Sequence, residues 1–241
     1  MTASGTLVPG AMNFRDVGGL PAAGGVTRSG VLYRSGNLAA VTDEGRAALR
    51  GLGLRRIIDL RDDVEVRWEP SRIDGLDLET QRVPLFTGSV ASFFAADVNL
   101  AGLYSSLIDE SADQVVEVVR GIIEAQPVLV HCTVGKDRTG VVVALTLAAA
   151  GVETEAVIAD YARTESMLPA ERNAAVLRQL RTMHPDAVNL EELATRSPAP
   201  VMRAMLEHLD AVFGSPADYL RANGLADDEI AHLRRILIAP A

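Results

Sequence analysis

The sequence predicts an α/β fold: a mostly parallel central sheet of about four strands flanked by helices, with additional C-terminal helices. Three observations favour this fold class. Short apolar stretches alternate with helical patterns through residues 1–150, an arrangement typical of a parallel sheet. The pattern after Gly151 is helical throughout. No repeat, charged linker or low-complexity tract divides the chain, so we expect a single domain over residues 1–241.

Four short stretches are predicted to be strands, because they are apolar and lie between turn-forming residues. Gly24 and Gly25 suit a tight turn before the first stretch. The third stretch gives the weakest strand signal, and Pro84 ends it. The predicted strands are residues 31–33, 54–60, 80–85 and 127–131.

The helices are predicted from their end signals and from apolar periodicity. Ser111 and Gln114 have the spacing of a capping box. Gly151 is expected to end a helix, and Ser215 precedes a proline at the first position of another. The predicted helices are residues 42 to about 51, 111–125, 139–150, 154–164, 169–183, 200–213, 216–223 and 227–238.

Composition limits the function classes. The net charge is −9, which argues against a broad nucleic-acid-binding surface, so no nucleic-acid partner is expected. The single cysteine cannot form an internal disulfide, which fits a reducing compartment. The N-terminus lacks the basic start and apolar run of a signal peptide. The longest uncharged apolar stretch, residues 141–152, is shorter than the roughly 20 residues of a membrane span. We expect a cytoplasmic protein without an integral membrane segment, and leaderless secretion stays open.

The only cysteine lies in the segment HCTVGKDRTG, which runs from His131 to Gly140. A predicted strand ends at His131, and a predicted helix begins near Thr139. Ligands of open α/β sheets bind beyond the carboxyl ends of the strands. A loop that leads into a helix also points free N–H groups at one spot. The segment therefore predicts an anion-binding site, to which Arg138 can add a planar pair of donors.

The same surroundings would make Cys132 reactive. Cysteines at helix N-termini and beside cations are readily deprotonated, and the thiolate is the nucleophilic form. A phosphate held in the loop would lie against the sulfur. The pattern therefore predicts in-line attack, a thiophosphate intermediate and hydrolysis by water. An inert core cysteine is the alternative, but it explains neither Gly135 nor Arg138.

Cys132, five further residues, Arg138 and Thr139 form a C-x5-R-T pattern, and the chain thereby resembles the protein tyrosine phosphatases. The fuller segment HCTVGKDRTG resembles their bacterial PtpB-like subgroup of tyrosine and lipid phosphatases. NFRDVGG, LYRSGNL, IIDLR and DYLRANGL agree, at residues 13–19, 32–38, 57–61 and 218–225. The resemblance implies a phosphoester hydrolase with a cysteinyl-phosphate intermediate and with phosphotyrosine as the expected substrate. We also expect the helical C-terminal part of the chain to pack near the active site.

The resemblance gives each position of the loop a role. Cys132 would be the nucleophile, and Arg138 would bind the phosphoryl group. His131 would position the cysteine from behind, and Thr139 would hydrogen-bond the sulfur. No metal or other cofactor is implied, and phosphate or another oxyanion is the expected ligand. The further residues whose amides would line the loop are Thr133, Val134, Gly135, Lys136 and Asp137.

The general acid has more than one candidate. The leaving oxygen needs a proton, usually from an aspartic acid. Some relatives carry that residue just past the strand that matches residues 83–85, where this chain reads FTG. We favour Asp137, because its place in the loop is fixed. Asp97, Asp62 and Asp63 are the alternatives, and Asp137 could instead be purely structural.

The substrate class stays open between phosphorylated proteins and phosphoinositides. Phosphatases that accept phosphoinositides often carry a lysine at the place of Lys136, where it can meet a second phosphate. A lysine there is equally compatible with phosphotyrosine, so the resemblance implies dual protein and lipid activity without choosing between the two.

Other polar and aromatic residues receive structural interpretations. We expect Arg15 to pair with Asp16, and Arg34 and Arg61 to be structural. The aromatic residues expected in the core are Trp68, Phe93 and Phe94. For the two phenylalanines, stacking on an aromatic substrate is the alternative to a core role.

Two functions of other classes stay open. A sulfurtransferase also uses a cysteine in an anion-binding loop, but the C-x5-R spacing followed by threonine disfavours it. A non-catalytic phosphate-binding module is disfavoured by the intact Cys132 and Arg138, whereas the missing aspartate after residues 83–85 favours it. A P-loop nucleotidase is excluded, because Val130 stands where a glycine is needed and Asp137 replaces serine or threonine.

Overall fold

The computed structural model describes residues 7–85, 94 and 96–240. The strands of this part of the chain form two sheets. In chain order the strands are β1 (Arg15–Asp16), β2 (Pro21–Ala22), β3 (Gly25–Thr27), β4 (Leu32–Ser35), β5 (Arg56–Asp59), β6 (Glu79–Arg82), β7 (Val128–His131) and β8 (Ile238–Pro240).

Five strands form the central sheet, in the spatial order β1-β4-β7-β5-β6. β4, β7, β5 and β6 are parallel, and β1 pairs with β4 in the antiparallel sense. The register places Ser35, His131 and Asp59 side by side, so the carboxyl ends of three strands reach the same edge. The predicted mostly parallel sheet is confirmed, with five strands in place of about four.

The helices of the described residues surround this sheet. In chain order they are α1 (Asp43–Gly51), α2 (Asp63–Trp68), α3 (Leu100–Glu110), α4 (Ala112–Glu124), α5 (Arg138–Ala150), α6 (Thr154–Met167), α7 (Ala170–Met183), α8 (Leu190–Thr195), α9 (Ala199–Phe213), α10 (Pro216–Ala222) and α11 (Asp227–Leu237). None of them is long and apolar enough to cross a membrane.

Both faces of the sheet are covered, because successive residues of a strand point to opposite sides. Ile57 and Leu129 pack on one face in a cluster that includes Leu49 of α1. Ile58 and Val130 pack on the other face in the larger cluster, to which α3, α4 and α5 contribute. These alternating apolar residues explain why the strands are buried and why the sheet has helices on both sides.

Helix α5 occupies the centre of the larger cluster, and every residue from Arg138 to Leu147 is buried. Gly151 ends the helix in the left-handed conformation, with φ of 96°, as the sequence predicts. α6, α10 and α11 pack against it. The C-terminal helices therefore lie beside the helix that leads out of the cysteine-containing segment.

Three helices of the structure were not predicted from the sequence, and one predicted cap does not form. Helices α2 and α8 are only six residues long and carry too little periodicity to predict. Helix α3 was not predicted, because its glycine and paired serines weaken the helix signal. Since α3 runs up to Glu110, Ser111 joins two helices, and its side chain makes no capping hydrogen bond.

Candidate active site

The segment from His131 to Gly140 forms a tight loop at the carboxyl edge of the central sheet. β7 ends where the segment begins, and α5 starts at Arg138. We call residues 132–138 the cradle loop. Gly135 turns it with φ of 74°, and a Cβ there would lie 2.3 Å from the carbonyl oxygen of Ser35. A residue with a side chain does not fit, so the glycine is required by the geometry of the loop.

Cys132 is buried, with 3% of its surface exposed. The backbone N–H of Gly135 donates to its Sγ at 3.2 Å. This N–H and the N-terminus of α5 both place positive partial charge near the sulfur. The Thr139 hydroxyl is buried and has no hydrogen-bond partner within residues 7–85, 94 and 96–240. The bond from Thr139 to the sulfur that the resemblance implies is therefore not formed in this structure, where Gly135 is the donor instead.

Glu65, which the sequence analysis did not consider, fixes the guanidinium of Arg138. Nη1 and Nη2 of Arg138 lie 2.6 Å and 2.7 Å from the two carboxylate oxygens. The Thr133 hydroxyl also donates to Glu65. Burial opposes ionisation of Glu65, but the hydrogen bonds and charge of Arg138 hold its pKa below the usual value. The paired carboxylate therefore sets the plane of the arginine fork.

His131 lies beneath the cysteine. Its ring is buried, and Nδ1 is 3.3 Å from the carbonyl oxygen of Cys132. Nε2 lies 3.7 Å from Oδ2 of Asp59, which is itself paired with Arg61 at 2.8 Å. Burial lowers the pKa of His131 and outweighs the attraction of Asp59. A neutral imidazole thus packs behind the loop, and Arg61 has the structural role that was predicted.

Asp137 lies in the cradle loop beside Arg138, and two donors hold one of its oxygens. The Nζ of Lys136 is 2.7 Å from Oδ1, and the Tyr104 hydroxyl donates to the same atom at 3.0 Å. Oδ2 receives no hydrogen bond from the described residues. Lys136 is buried, and its Nζ also donates to the carbonyl oxygen of Arg196 at 2.8 Å. The lysine is therefore tied to the fold as well as to the aspartate.

A second tyrosine extends this arrangement. The hydroxyls of Tyr104 and Tyr161 lie 2.7 Å apart, and both side chains are buried. Because the hydroxyl of Tyr104 donates its hydrogen bond to Asp137, the hydroxyl of Tyr161 is the donor in the bond between the two tyrosines. Burial raises the pKa of both phenols, and the charge of Asp137 raises each further, so both stay protonated. Two fixed hydroxyl donors thus stand in line behind Oδ1 of Asp137.

The other candidate acids are engaged elsewhere. Oδ1 of Asp97 accepts from the backbone N–H of Asn189 at 2.8 Å, and the backbone hydrogen bonds at that place lower the pKa of Asp97. Asp62 is the N-cap of α2, and Asp63 pairs with Arg82 at 3.1 Å. Of the four candidates, Asp137 belongs to the cradle loop, and these partners of the other three lie outside that loop. Across the described residues, no group of three or more His, Cys, Asp and Glu side chains is arranged to hold a metal ion.

A buried network supports the loop from outside. Arg15 pairs with Asp160 at 2.7 Å, so the predicted pair of Arg15 with Asp16 is wrong. Asp16 instead accepts from the backbone N–H groups of two glycines. Arg34 is structural as predicted: it pairs with Asp160 at 2.8 Å and donates to the carbonyl oxygen of Gly135 at 3.0 Å.

The aromatic residues differ from expectation. Trp68 is 81% exposed, so its predicted core position is wrong. It ends the short helix α2, whose Glu65 contacts the cradle loop. Phe94 is half-buried and packs against two apolar clusters, as predicted. Phe93 lies outside the described residues.

Sequence reasoning missed the residues that reach the loop from distant positions, namely Glu65, Tyr104 and Asp160. One signal was available for Glu65, because Asp62 and Glu65 have capping-box spacing directly after a predicted strand. Both halves of that capping box form. No local pattern marks the tyrosine or Asp160, since their partners are brought to them only by the packing of α3 and α6.

A model described as the tyrosine phosphatase family matches residues 6–239. The triple specificity protein phosphatase PtpB of Mycobacterium tuberculosis is 30% identical over 275 aligned residues, which cover 96% of this chain and 98% of that protein. A tyrosine-protein phosphatase of Nostoc commune is 28% identical, over 83% of this chain and 72% of its own. The crystal structure of P. aeruginosa TpbA covers 78% of this chain and 97% of its own, at 18% identity and a TM-score of 0.37.

Proposed function

Because the chain belongs to the tyrosine phosphatase family and is a phosphoester hydrolase, we propose that it cleaves phosphotyrosine through a phosphocysteine formed on Cys132. The observation that carries this proposal is the position of the sulfur. It lies against an inward-pointing N–H of the cradle loop, at the carboxyl edge of a parallel sheet and next to Arg138. Such an arrangement of donors suits a tetrahedral anion. We further propose that the chain acts as a single domain, since the matched family spans residues 6–239.

In the first step, the thiolate of Cys132 attacks phosphorus in line with the ester bond. The S–P bond forms, and the P–O bond breaks with its electron pair on the leaving oxygen. Asp137 gives that oxygen a proton. The amides of the cradle loop and the fork of Arg138 stabilise the charge on the remaining phosphoryl oxygens. Glu65 contributes by keeping the fork in one plane.

In the second step, water attacks the phosphocysteine. Asp137, now ionised, takes the proton from water, the S–P bond breaks, and inorganic phosphate leaves. The electron pair returns to the sulfur, where the N–H of Gly135 stabilises the thiolate. The buried Thr139 hydroxyl is a further donor that suits this step.

Two contacts support Asp137 over Asp97 as the acid. Asp137 neighbours Arg138 in the loop, and its Oδ1 is fixed by Lys136 and Tyr104. A carboxyl group whose one oxygen accepts two donors carries its transferable proton on the other oxygen, here Oδ2. Asp97 is engaged with Asn189 instead.

We propose phosphotyrosine in proteins as the main substrate class. PtpB is named a triple specificity protein phosphatase, so wider specificity is the second candidate and includes phosphoserine, phosphothreonine and phosphoinositides. Lys136 would need to leave Asp137 and the carbonyl of Arg196 to reach a second phosphate. This cost favours substrates with one phosphate.

The proposal is tested with Cys132→Ser and a substrate panel at one pH. The variant should lose turnover while it keeps affinity for phosphate, and wild-type turnover should survive EDTA and be blocked by orthovanadate. Turnover by Cys132→Ser would exclude the thiol mechanism. Sulfur transfer from thiosulfate by the wild type would favour the sulfurtransferase. Phosphate binding without turnover of phosphotyrosine, phosphoserine or phosphoinositide would favour a non-catalytic module.

A further inference from the structure

We propose that Asn13 and Arg34 are positioning residues of this site, which hold the carbonyl groups of the cradle loop outward so that its N–H groups point inward. The inference deepens the proposed function and rests on it, because it concerns the same phosphate-binding loop. It assigns the geometry of the loop to two side chains that come from other parts of the chain.

The peptide unit that joins Val134 and Gly135 is held from outside the loop. The C=O and N–H of a trans peptide point in opposite directions. Nδ2 of Asn13 lies 3.4 Å from the carbonyl oxygen of Val134, and the N–H of the same peptide unit donates to Sγ of Cys132 at 3.2 Å. The amide group of Asn13, which lies outside the loop, therefore fixes the direction in which the N–H of Gly135 points.

The next peptide unit is held more firmly. The carbonyl oxygen of Gly135 accepts from Nδ2 of Asn13 at 2.8 Å and from Nη2 of Arg34 at 3.0 Å. Both lone pairs of this oxygen are used, so the N–H of Lys136, which shares the peptide plane, must point away from them. A guanidinium on the carbonyl also polarises the peptide and strengthens its N–H as a donor.

The peptide unit that joins Thr133 and Val134 is held in the same way, here by a backbone donor. The N–H of Asn37 donates to the carbonyl oxygen of Thr133 at 3.0 Å. Gly36 allows this close approach, since a Cβ there would lie 3.0 Å from the carbonyl oxygen of Val134 and 3.2 Å from that of Thr133. Three consecutive carbonyls are thus held from outside, and side chains hold two of them.

The two positioning residues are themselves fixed in the core. Asn13 adopts φ of 56°, a left-handed conformation that asparagine tolerates, and its Oδ1 accepts from Arg15. Arg34 is 1% exposed and is anchored by Asp160, which also binds Arg15. Two guanidinium groups share one carboxylate beneath the loop, which leaves positive charge close to where an anion binds.

The test uses variants that remove the outward donors by different routes. Asn13→Asp keeps the shape and the acceptor for Arg15 but loses the donor to the loop. Asn13→Gly loses the donor without adding charge and accepts the same φ. Arg34→Lys keeps the charge, but a single ammonium cannot serve both Asp160 and the carbonyl of Gly135 in the way a planar fork does.

Arg56→Met is the matched control. Arg56 is a buried arginine of the same sheet, donates to the carbonyl oxygen of Gly121 at 3.1 Å, and pairs with Glu79 and Glu124. It makes no hydrogen bond to the cradle loop. Its replacement should lower the unfolding temperature, as the replacement of Arg34 does, without changing affinity for a phosphate analogue.

The measurements are the inhibition constant of orthovanadate, kcat and KM for p-nitrophenyl phosphate, and the unfolding temperature. We expect the inhibition constant to rise about tenfold in each Asn13 and Arg34 variant, the effect of losing one hydrogen bond from a loop N–H to the charged vanadate. In Arg56→Met the constant should stay within about twofold. An unchanged constant in the folded Asn13 variants, or an equal rise in Arg56→Met, would overturn the inference. If Arg34→Lys does not fold, the two Asn13 variants decide. A wild type that neither hydrolyses the substrate nor binds vanadate would refute the proposed function, and the inference with it.

Discussion

Replacement of Tyr104 by phenylalanine should move the alkaline limb of the kcat profile to higher pH. The hydroxyl of Tyr104 donates to Oδ1 of Asp137 at 3.0 Å, and burial keeps the phenol protonated by raising its pKa well above the usual value. A donor to a carboxylate stabilises its ionised form. Since Asp137, the proposed general acid, can give a proton only when it is protonated, removal of the donor should extend activity toward alkaline pH.

The size of the shift follows from the geometry. A hydrogen bond to a charged group contributes about 1.5–3 kcal/mol, and one pH unit corresponds to about 1.4 kcal/mol. The side chain of Asp137 is 21% exposed, and the Nζ of Lys136 remains 2.7 Å away. Water and the lysine would replace part of the lost interaction. We therefore expect the lower end of the range, a shift of about one pH unit.

Tyr161→Phe is the control. It removes the outer hydroxyl, 2.7 Å from that of Tyr104, but leaves the bond from Tyr104 to Asp137 in place. Both variants lose one buried hydroxyl and should lose similar stability. The assay is kcat against pH on a phosphotyrosine peptide, whose poor leaving group depends on the acid. If both variants shift the limb equally, or if Tyr104→Phe shifts nothing while folded, Tyr104 is not coupled to the acid.

Three further predictions concern stability and exposure. Glu65→Gln should lower the unfolding free energy by about 3 kcal/mol in urea titrations, because it leaves the buried guanidinium of Arg138 without this carboxylate; a loss like that of a surface pair would contradict this. As the pH is lowered, the free energy of unfolding should decrease in two stages, measured by urea unfolding at each pH. The first begins below about pH 6.5, because the unfolded chain takes up a proton that buried, neutral His131 excludes in the fold. The second begins below about pH 4, because Glu65 and Asp160 have lowered pKa values and lose their ion pairs as they protonate; a flat profile from neutral to acid pH would refute both. Trp68→Phe should change stability by less than about 0.5 kcal/mol, since the side chain is 81% exposed.

The fold was predictable where a signal is local. Strands β5 and β7 lie inside predicted apolar stretches, and Gly151 ends α5 as expected from its position. Short elements were not, because two to six residues contain too little periodicity to distinguish a strand or helix from a loop. The small sheet of β2, β3 and β8 is an example, since β8 comes from the far end of the chain and reveals itself only by pairing with β3.

The site divides in the same way. The cradle loop is one continuous segment, so its cysteine, glycine and arginine could be placed together from the sequence. Glu65, Tyr104 and Asp160 reach the loop from three other elements, and each looks like an ordinary residue of its helix. Trp68 was misplaced for a related reason: large aromatic residues are usually buried, but α2 is a six-residue helix with no buried residue.

The charges around the cradle loop connect stability with binding. Arg15 and Arg34 share Asp160 in the core, and burial together with the charge of Arg34 lowers the pKa of Arg15 to about 10. A buried cation that is incompletely compensated costs folding free energy. An anion in the loop offsets this cost, and binding to the folded state alone raises stability by mass action. On the proposed function, Arg15 and Arg34 would therefore favour a phosphoryl anion beside Cys132, and the outward carbonyl of Gly135 is the means by which Arg34 acts on the inward amides.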